Sequence, residues 1–243
     1  MATIKDVARA AEVSIATVSA VVNGSAYVSP ELRVRVETAI EALGYAPSQT
    51  ARNLKRGRSQ LIALVVADLA NPFYARIACA AEATVATWGY SLVIFNSDEK
   101  PDKERRILER IQMLSCDGTI LVPVDETSRY ARQQFKHSPP MVLFGRSVEG
   151  EKFDAVTIDN RQAAFQITNY LLDLGHRQIG SITGPDYLST GRDRLRGMMD
   201  AMAGRGIDPR AEHLRCGEFR EEVAYSVARE MLAGSDRPTA LYV

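Results

Sequence analysis

From residue 60 onward, short apolar runs alternate along the chain with longer segments that have helical spacing. The run 60–67, QLIALVVA, is continuous, apolar and rich in β-branched residues, as expected for a strand covered on both faces. Comparable runs predict further strands at 90–96, 118–123, 140–145, 155–159, 178–184 and 239–243. Segments of helical spacing predict helices near 73–88, 101–114, 127–137, 161–174, 190–204 and 219–233. Strands that alternate with helices in this way indicate a parallel α/β sheet with right-handed crossovers.

The first 44 residues have a different pattern, which predicts three short helices. Thr3 with Asp6 is similar to a capping box with Asp in place of Glu, and Ser14 is placed to cap a second helix. The run Ser29-Pro30-Glu31 gives the third helix a cap, a proline at its first position and an acid in its first turn. Helical spacing predicts that this third helix buries Val34, Ala39, Ile40 and Leu43.

The second of these helices has two chemically different sides. One side carries Val18, Val21 and Val22, and the other has only small or hydroxyl-bearing groups: Ala16, Thr17, Ser19, Ala20 and Asn23. Two short helices that meet at a tight turn form a helix-turn-helix, whose second helix enters the major groove of DNA. The alternative interpretation is any small packing unit of three helices.

The charge distribution favours the DNA interpretation, although the whole chain carries no net charge. Residues 1–59 hold eight basic and five acidic groups, so they carry +3 and the remainder carries −3. Four of the basic groups lie in 48–59, a segment that has no acid. A basic end on a neutral chain is typical of a nucleic-acid-binding module.

Other sequence features argue against a membrane protein, a metalloprotein or a common type of enzyme. No run approaches the ~20 apolar residues of a membrane span, and the N-terminus lacks the apolar core of a signal peptide, so we expect a cytoplasmic location. The chain has no GxGxxG, P-loop or GxSxG motif. We expect no cofactor and no metal, because the three histidines are scattered and the cysteines, expected to be buried thiols, form no CxxC pair: Cys79, Cys116 and Cys216.

Several motifs follow one another as they do in a known family. Residues 3–59 contain TIKDVA, VSxxTVS, VNG, YVS, AIExLGYxP and ARxL, and the later part contains NPFY, TIDN, LGHRQIG and PTALYV. In this order and spacing the motifs closely resemble the LacI/GalR transcription regulators over the whole chain. The resemblance implies an all-α helix-turn-helix headpiece (1–46), a hinge helix or linker (47–59) and an α/β periplasmic-binding-protein-like sensor domain (60–243) with parallel sheets in two lobes. Because Val243 lies inside an apolar strand, we expect the native chain to continue and this sensor to be incomplete.

The resemblance also implies which residues contact DNA. In the second helix it assigns base-reading positions to Ile15, Ala16 and Ala20, and phosphate contacts to Thr17, Ser19 and Asn23; Thr3 is a further candidate. Many relatives have a long basic or polar residue at the position of Ala20. An alanine packs at most on a thymine methyl group, so no relative's operator can be transferred to this chain.

The segment PSQTARNLK, 47–55, resembles the hinge helix of the family, which folds on DNA and enters the minor groove. Leu54 matches the apolar wedge that opens a central base step and kinks the duplex. Ala51 matches the small residue that lets two hinge helices approach, and Lys55 is a further candidate DNA contact. On composition alone, residues 46–59 are a plain basic linker.

For the sensor domain, the resemblance implies a ligand cleft at the carboxyl ends of the strands. Phe73 and Tyr74 follow the first strand and offer aromatic surface, although one of the two is expected to belong to the core. Asp159 either accepts hydrogen bonds from ligand hydroxyl groups or only shapes the crossover between the lobes. The remaining candidates are a ligand-binding arginine, an aromatic wall residue and a second arginine after a strand: Arg194, Phe219 and Arg146.

These features together predict a ligand-controlled transcription regulator, usually a repressor. It is expected to bind a near-palindromic operator as a homodimer, and a small effector, a sugar or a sugar derivative, is expected to control its affinity for DNA. One alternative is the solute-binding protein of a transporter, against which the headpiece and the missing signal peptide count. The other is an α/β enzyme, for which a clear turnover assay would be needed.

Overall fold

The computed structural model describes residues 2–46, 58–124, 139–148 and 153–243. The chain divides into two units, Met1–Ser59 and Gln60–Val243. Two predicted elements lie outside the described residues, namely the hinge helix and the helix near 127–137.

The described part of unit 1 contains three helices, as predicted. They are α1 (Ile4–Ala10), α2 (Ile15–Asn23) and α3 (Pro30–Leu43). The short connection between α1 and α2 produces the helix-turn-helix arrangement, and Gly24 ends α2 in the left-handed conformation, with φ of 60°.

Side chains at the helix starts satisfy backbone N–H groups that have no partner within the helix. At the start of α2, Ser14 Oγ accepts a hydrogen bond from the Thr17 N–H at 3.0 Å. At the start of α1, the Asp6 carboxylate accepts hydrogen bonds from the Thr3 hydroxyl at 2.7 Å and from the Thr3 backbone N–H at 3.0 Å. The hydrogen bond from the Thr3 hydroxyl, and after it the one from the Thr3 backbone N–H, lower the pKa of the Asp6 carboxyl.

One small cluster of apolar side chains holds the three helices of unit 1 together: Val7, Ala8, Ala11, Val18, Val36 and Ala39. The prediction that Val34 belongs to this core is wrong, since its side chain is 61% exposed, and Leu43 is also exposed. Val36 is fully buried instead. Two residues along a helix correspond to about 200° of rotation, so Val34 and Val36 face opposite sides.

The N-terminal part of unit 2, which we call lobe 1, is built on a five-stranded parallel sheet. Its strands are β1 (Leu61–Val66), β2 (Ser91–Asn96), β3 (Gly118–Leu121), β4 (Met141–Phe144) and β5 (Asp154–Val156). Their order is β2-β1-β3-β4-β5, which places β1 inside the sheet. Two described helices cover the sheet: α4 (Pro72–Ala86) and α5 (Pro101–Met113).

The alternating burial of β1 explains its continuous apolar sequence. Ala63 and Val65 pack with residues of α5, whereas Leu64 and Val66 pack with residues of α4. All four side chains are fully buried. A parallel strand with a helix on each face has no polar side, which is why its sequence shows no alternation.

The C-terminal part of unit 2, lobe 2, is built on a three-stranded parallel sheet of order β7-β6-β8. The strands are β6 (Ile179–Thr183), β7 (Leu214–Cys216) and β8 (Ala240–Tyr242), and the helices are α6 (Asn160–Asp173), α7 (Ser189–Ala203) and α8 (Glu221–Ala233). A 3-10 helix, Ala211–His213, precedes β7. Leu172, Ile179, Met198, Ala201 and Met202 form the buried core of this lobe.

The structure adds or changes a few elements relative to the sequence predictions. Strand β7 was not predicted, because it is a three-residue edge strand in which Arg215 and Cys216 are exposed and no apolar pattern arises. The strand predicted at 155–159 ends at Val156. The expectation of three buried thiols is wrong for Cys79 and Cys216, which are exposed. In the described part of the chain, no helix has both the length and the apolar character needed to cross a membrane.

We expect Val18→Ala to destabilise unit 1 by about 2 kcal/mol, because it deletes buried methyl groups and leaves a cavity in a very small core. Hydrogen exchange measured by mass spectrometry on the whole chain would show this as about thirty-fold faster exchange in peptides from α1 to α3. The matched control is Val34→Ala, which removes the same atoms from an exposed position and should leave exchange unchanged. Equal effects of the two substitutions would contradict the core described above.

Candidate functional site

None of the three residues predicted to read bases in α2 belongs to the apolar cluster of unit 1. Ile15 is 46% exposed and Ala16 is exposed, whereas Ala20 is half-buried. Val18, between them in sequence, is fully buried in the cluster that joins the three helices. The start of α2 therefore presents a surface of small and apolar groups.

Hydrogen bonds within α2 orient the side chains predicted to contact phosphates. The hydroxyl groups of Ser14 and Thr17 form a hydrogen bond, with 2.9 Å between Oγ and Oγ1. The Asn23 side-chain amide donates to the Ser19 carbonyl oxygen at 2.8 Å and to Ser19 Oγ at 3.2 Å. Because Ser19 Oγ accepts this hydrogen, its own hydroxyl hydrogen can be donated to a phosphate oxygen.

The other predicted DNA contacts are placed differently. Thr3 lies at the start of α1, where its hydroxyl and its backbone N–H both donate to Asp6. Ala51, Leu54 and Lys55 lie outside the described residues, so their roles stay predictions.

Unit 2 contains a cavity of about 350 Å³ at the carboxyl ends of the strands of both lobes. Five of the six residues predicted to bind an effector line it: Phe73, Tyr74, Arg146, Arg194 and Phe219. Asp159 does not line the cavity. Its carboxylate instead caps α6 by accepting a hydrogen bond from the Gln162 N–H at 2.9 Å, at the point where the chain enters lobe 2.

Aromatic rings form the lobe 1 side of the cavity. Phe73 lies edge to face against Tyr74, with ring centroids 5.2 Å apart, and Phe144 is 6.2 Å from Phe73. Tyr74 is 8% exposed and belongs to the core, whereas Phe73 is 53% exposed. Burial raises the pKa of the Tyr74 phenol above its ordinary value.

Arg146 is buried beside the cavity and paired with Glu99. Its side chain is 3% exposed, and its two terminal nitrogens donate to the Glu99 carboxylate at 2.7 and 2.9 Å. A further hydrogen bond of 3.0 Å reaches the Pro123 carbonyl oxygen. Sequence reasoning missed Glu99, although an acid just beyond the end of β2 and an arginine just beyond the end of β4 must share the carboxyl edge of one parallel sheet.

Phe219 from lobe 2 extends across this ion pair. Its ring centroid lies 5.9 Å from the guanidinium carbon of Arg146 and 5.8 Å from that of Arg194, within cation–π range. Glu218 and Phe219 both have positive φ, near 55°, which turns the ring toward the cavity. The ring occupies the space beside Gly184, where a Cβ atom would overlap it.

Arg194 and its neighbours form the polar end of the cavity. Arg194 Nε donates to the Asn160 side-chain oxygen at 2.9 Å. Thr190, one turn earlier on α7, also lines the cavity, and its hydroxyl oxygen is buried without a hydrogen-bond partner among the described residues. Sequence reasoning missed both Asn160 and Thr190. Each residue lies near the start of a helix that follows a strand, and this position alone could have indicated that they line the cavity.

Within the described ranges, no three His, Cys, Asp or Glu side chains are close enough together to hold a metal ion.

Comparison with known families gives two matches that together span nearly the whole chain. Residues 3–48 match the model described as bacterial regulatory proteins, lacI family. Residues 59–243 match the model described as periplasmic binding proteins and sugar binding domain of LacI family.

Individual relatives agree with these matches. Catabolite control protein A of Priestia megaterium is 32% identical over 99% of this chain and 73% of its own length. The transcriptional repressor PurR of Edwardsiella ictaluri is 33% identical over 100% of this chain and 72% of its own length. Among solved structures, the lac repressor dimer bound to operator and the anti-inducer ONPF superposes with a TM-score of 0.84 at 25% identity, over 99% of this chain and 72% of that one.

The close approach of Phe219 to Gly184 yields a test of the cavity wall. We expect Gly184→Ala to destabilise unit 2 by about 2 kcal/mol, because the new methyl group overlaps the Phe219 ring and forces it to move. In a Phe219→Ala background, the same substitution should cost little. A double-mutant cycle from thermal unfolding would measure this coupling. An equal cost in both backgrounds would contradict the described position of the ring.

Proposed function

Since the chain belongs to the lacI family of bacterial regulatory proteins, we propose that it is a ligand-responsive transcription repressor that binds a palindromic operator as a homodimer. The observation that carries the proposal is that one chain combines a helix-turn-helix, whose second helix has an exposed face, with a cavity between two lobes. The proposed parts are a DNA-binding domain (1–46), a hinge (47–59) and an effector-binding domain (60–243). A regulator of this kind works where the DNA is, so the proposed location is the cytoplasm.

On the DNA side, we propose that α2 lies in the major groove with Ile15, Ala16 and Ala20 toward base edges. The hydroxyl groups of Thr17 and Ser19, with the amide of Asn23, would bond phosphate oxygens and fix the helix in register. The side chain of Ala20 offers only a methyl group, which favours contact with thymine. In the proposed hinge, Leu54 would enter the minor groove, with Ala51 and Lys55 beside it.

On the effector side, the proposed ligand is a sugar or a sugar derivative, in line with the description of the matching family model. Aromatic surface from Phe73 and Phe219 suits one face of a ring, and Arg194 suits ligand oxygens. Because the cavity takes its walls from both lobes, a bound effector has different affinities for different lobe arrangements. Through this difference in affinity, the effector would change how tightly the protein binds the operator.

For the homodimer, we propose that lobe 1 supplies an interface along β2. This strand is six residues long and is the longest edge strand among the described strands. Ile94 on it is 43% exposed, and the outward side of the adjacent α4 carries small residues such as Ala75, Cys79 and Ala83. A long, partly apolar edge beside a flat helix face is suited to pairing with another chain.

The DNA proposal predicts that selection from a random duplex library with the whole chain will enrich a palindrome. Affinity for the enriched site should fall by about 10³-fold or more between 50 and 200 mM salt, as expected for at least six phosphate contacts. Ala20→Asn should move the preference at one base pair of each half-site toward adenine and leave the salt dependence unchanged.

Ala10→Asn is the matched control, because it makes the same exchange at an exposed position at the end of α1. It should leave the selected sequence unaltered. Sequence-independent binding by the wild-type chain would count against an operator-reading regulator, and an unchanged preference in Ala20→Asn would remove α2 from the base-reading role.

The dimer proposal predicts that Ile94→Arg weakens self-association at least about ten-fold, because it places a charge in the apolar part of the interface. Sedimentation velocity over a range of concentrations would measure the dissociation constant. Ile167→Arg on α6 is the control, since Ile167 is 41% exposed and therefore comparable. If Ile167→Arg dissociated the protein and Ile94→Arg did not, the interface would lie in lobe 2.

A further inference from the structure

We propose that Arg220 of lobe 2 and Asp98 of lobe 1 form a latch, an ion pair that closes one mouth of the cleft between the lobes when the lobes approach each other. In the described part of the chain, no ion pair joins the two side chains. Such a latch acts on the movement of the lobes themselves, so it does not depend on which ligand or which DNA sequence the protein binds.

Two three-residue loops carry these charges, one on each lobe. The lobe 1 loop (98–100) follows β2, and the lobe 2 loop (218–220) follows β7. All six of their residues line a second cavity, of about 630 Å³. Of the residues predicted to bind an effector, this cavity shares only Phe219. The two loops therefore face each other across an open space between the lobes.

The middle residues of the two loops already meet at Arg146. The Glu99 carboxylate accepts hydrogen bonds from both terminal nitrogens of Arg146, at 2.7 and 2.9 Å, and the centroid of the Phe219 ring lies 5.9 Å from the guanidinium carbon. Asp98 and Arg220 are the chain neighbours of Glu99 and Phe219, and they line two further cavities of this cleft together. The contact at Arg146 therefore keeps both charges at the same mouth of the cleft.

Each loop is fixed to its own lobe. Two consecutive residues in each loop have φ between 52° and 58°, a left-handed conformation that residues other than glycine adopt only where the surrounding structure imposes it. In lobe 1 the Glu99 N–H donates to the Ala67 carbonyl oxygen at 2.9 Å, and in lobe 2 the Gly217 N–H donates to the Thr183 carbonyl oxygen at 2.7 Å. Because each loop moves with its lobe, the distance between the two charges changes with the arrangement of the lobes.

On lobe 1, the Asp98 carboxylate has room for a second cation. Lys100 Nζ donates to one of its oxygens at 2.7 Å, and the described residues provide no partner for the other oxygen. The hydrogen bond from Lys100 is the largest of several causes that lower the pKa of Asp98, and the charge of Arg220 is among the others. Arg220 therefore already acts on Asp98 across the cleft, without an ion pair between them.

On lobe 2, Arg220 occupies a position that favours a nearby negative charge. It is the N-cap of α8, so it carries its charge at the positive end of the helix dipole, where a cation is disfavoured and an anion is favoured. Glu221 and Glu222 follow it in the first turn, but neither pairs with it, and among the residues that the structure describes Arg220 forms no ion pair. A carboxylate from lobe 1 would compensate both the guanidinium and the start of the helix.

Closure of this mouth places Asp98 between Lys100 and Arg220. Because the new contact joins the two lobes, it stabilises the closed arrangement and not the open one, and it contributes to the free-energy difference between them. All three side chains are at least partly exposed, so the contribution is that of a surface ion pair, which salt weakens.

The test measures the distance between the lobes in the whole chain, without ligand or DNA. Spin labels would be attached at Met113→Cys in lobe 1 and Gln166→Cys in lobe 2, both exposed positions, after Cys79→Ser and Cys216→Ser have removed the exposed thiols. Excess unlabelled chain keeps both labels within one protomer of any dimer. Double electron–electron resonance would give the ratio of closed to open lobes, which we expect to fall about three-fold between about 50 mM and about 0.5 M sodium chloride.

Arg220→Gln and Asp98→Asn each remove one charge of the latch. Each should lower the closed-to-open ratio about three-fold at the lower salt concentration and abolish most of its dependence on salt. The double variant should differ from the wild type no more than either single variant, because the second substitution finds the ion pair already broken. Arg229→Gln is the matched control, since it makes the same exchange at an exposed position of α8 that contacts Tyr225, and it should leave the ratio unchanged.

Three results would contradict the latch. A wild-type ratio that does not respond to salt would overturn it, and so would equal effects of Arg220→Gln and Arg229→Gln. If Arg220→Gln lowered the ratio and Asp98→Asn did not, the pairing would be wrong, and Asp68, which lines the same mouth from lobe 1, would be the partner. Neither DNA nor an effector takes part, so failure of the latch would leave the proposed repressor function untouched, and failure of operator selection would leave the latch untouched.

Discussion

The buried ion pair between Glu99 and Arg146 organises the carboxyl edge of lobe 1. It joins the loop that follows β2 to the loop that follows β4, although two other strands separate these in the sheet. Removing one partner of a buried pair typically costs about 3–5 kcal/mol, because the remaining charge loses its compensation. The pair also supports the ring of Phe219 from lobe 2, so its geometry determines where one wall of the cavity stands.

This arrangement gives the two arginines different tasks. Arg146 is compensated within lobe 1 and acts as a fixed support, whereas Arg194 on lobe 2 faces the same aromatic ring with only a neutral hydrogen-bond partner among the described residues. Phe219 lies between them and can occupy this position only because Gly184 has no side chain. The polar end of the cavity therefore belongs to lobe 2 and the aromatic end mainly to lobe 1, so a ligand that uses both ends contacts both lobes.

Local patterns in the sequence were sufficient for most of the fold. The apolar run of β1 and the valines of α2 are recognisable because the burial pattern of each element appears directly as a pattern of apolar residues close together in the sequence. Val34 was misplaced because Val34 and Val36 lie on opposite sides of α3 and both are apolar. Only packing against α1 and α2 decides which of the two sides is buried. Strand β7 was not predicted because an exposed edge strand has no apolar pattern.

The site was less predictable than the fold, for a related reason. Phe73 and Arg194 were found because their motifs are distinctive, but Glu99 depends on a partner 47 residues away. Thr190 is distinguished by a buried hydroxyl that has no hydrogen-bond partner among the described residues, and no sequence pattern indicates this.

The division of the cavity between the lobes limits what an effector can achieve. A ligand shifts a conformational equilibrium only by the difference between its free energies of binding to the two states. Contacts made entirely with lobe 1 would be equal in every arrangement of the lobes and would contribute nothing to this difference. In the proposed mode of control, the contacts that matter are those that Arg194 and Phe219 make from lobe 2 while the ring of the ligand rests on lobe 1. Each ten-fold difference in affinity between the two arrangements then corresponds to about 1.4 kcal/mol of control over the proposed operator binding. The strength of regulation should accordingly depend more on the ligand contacts from lobe 2 than on how tightly the aromatic end of the cavity holds the ligand.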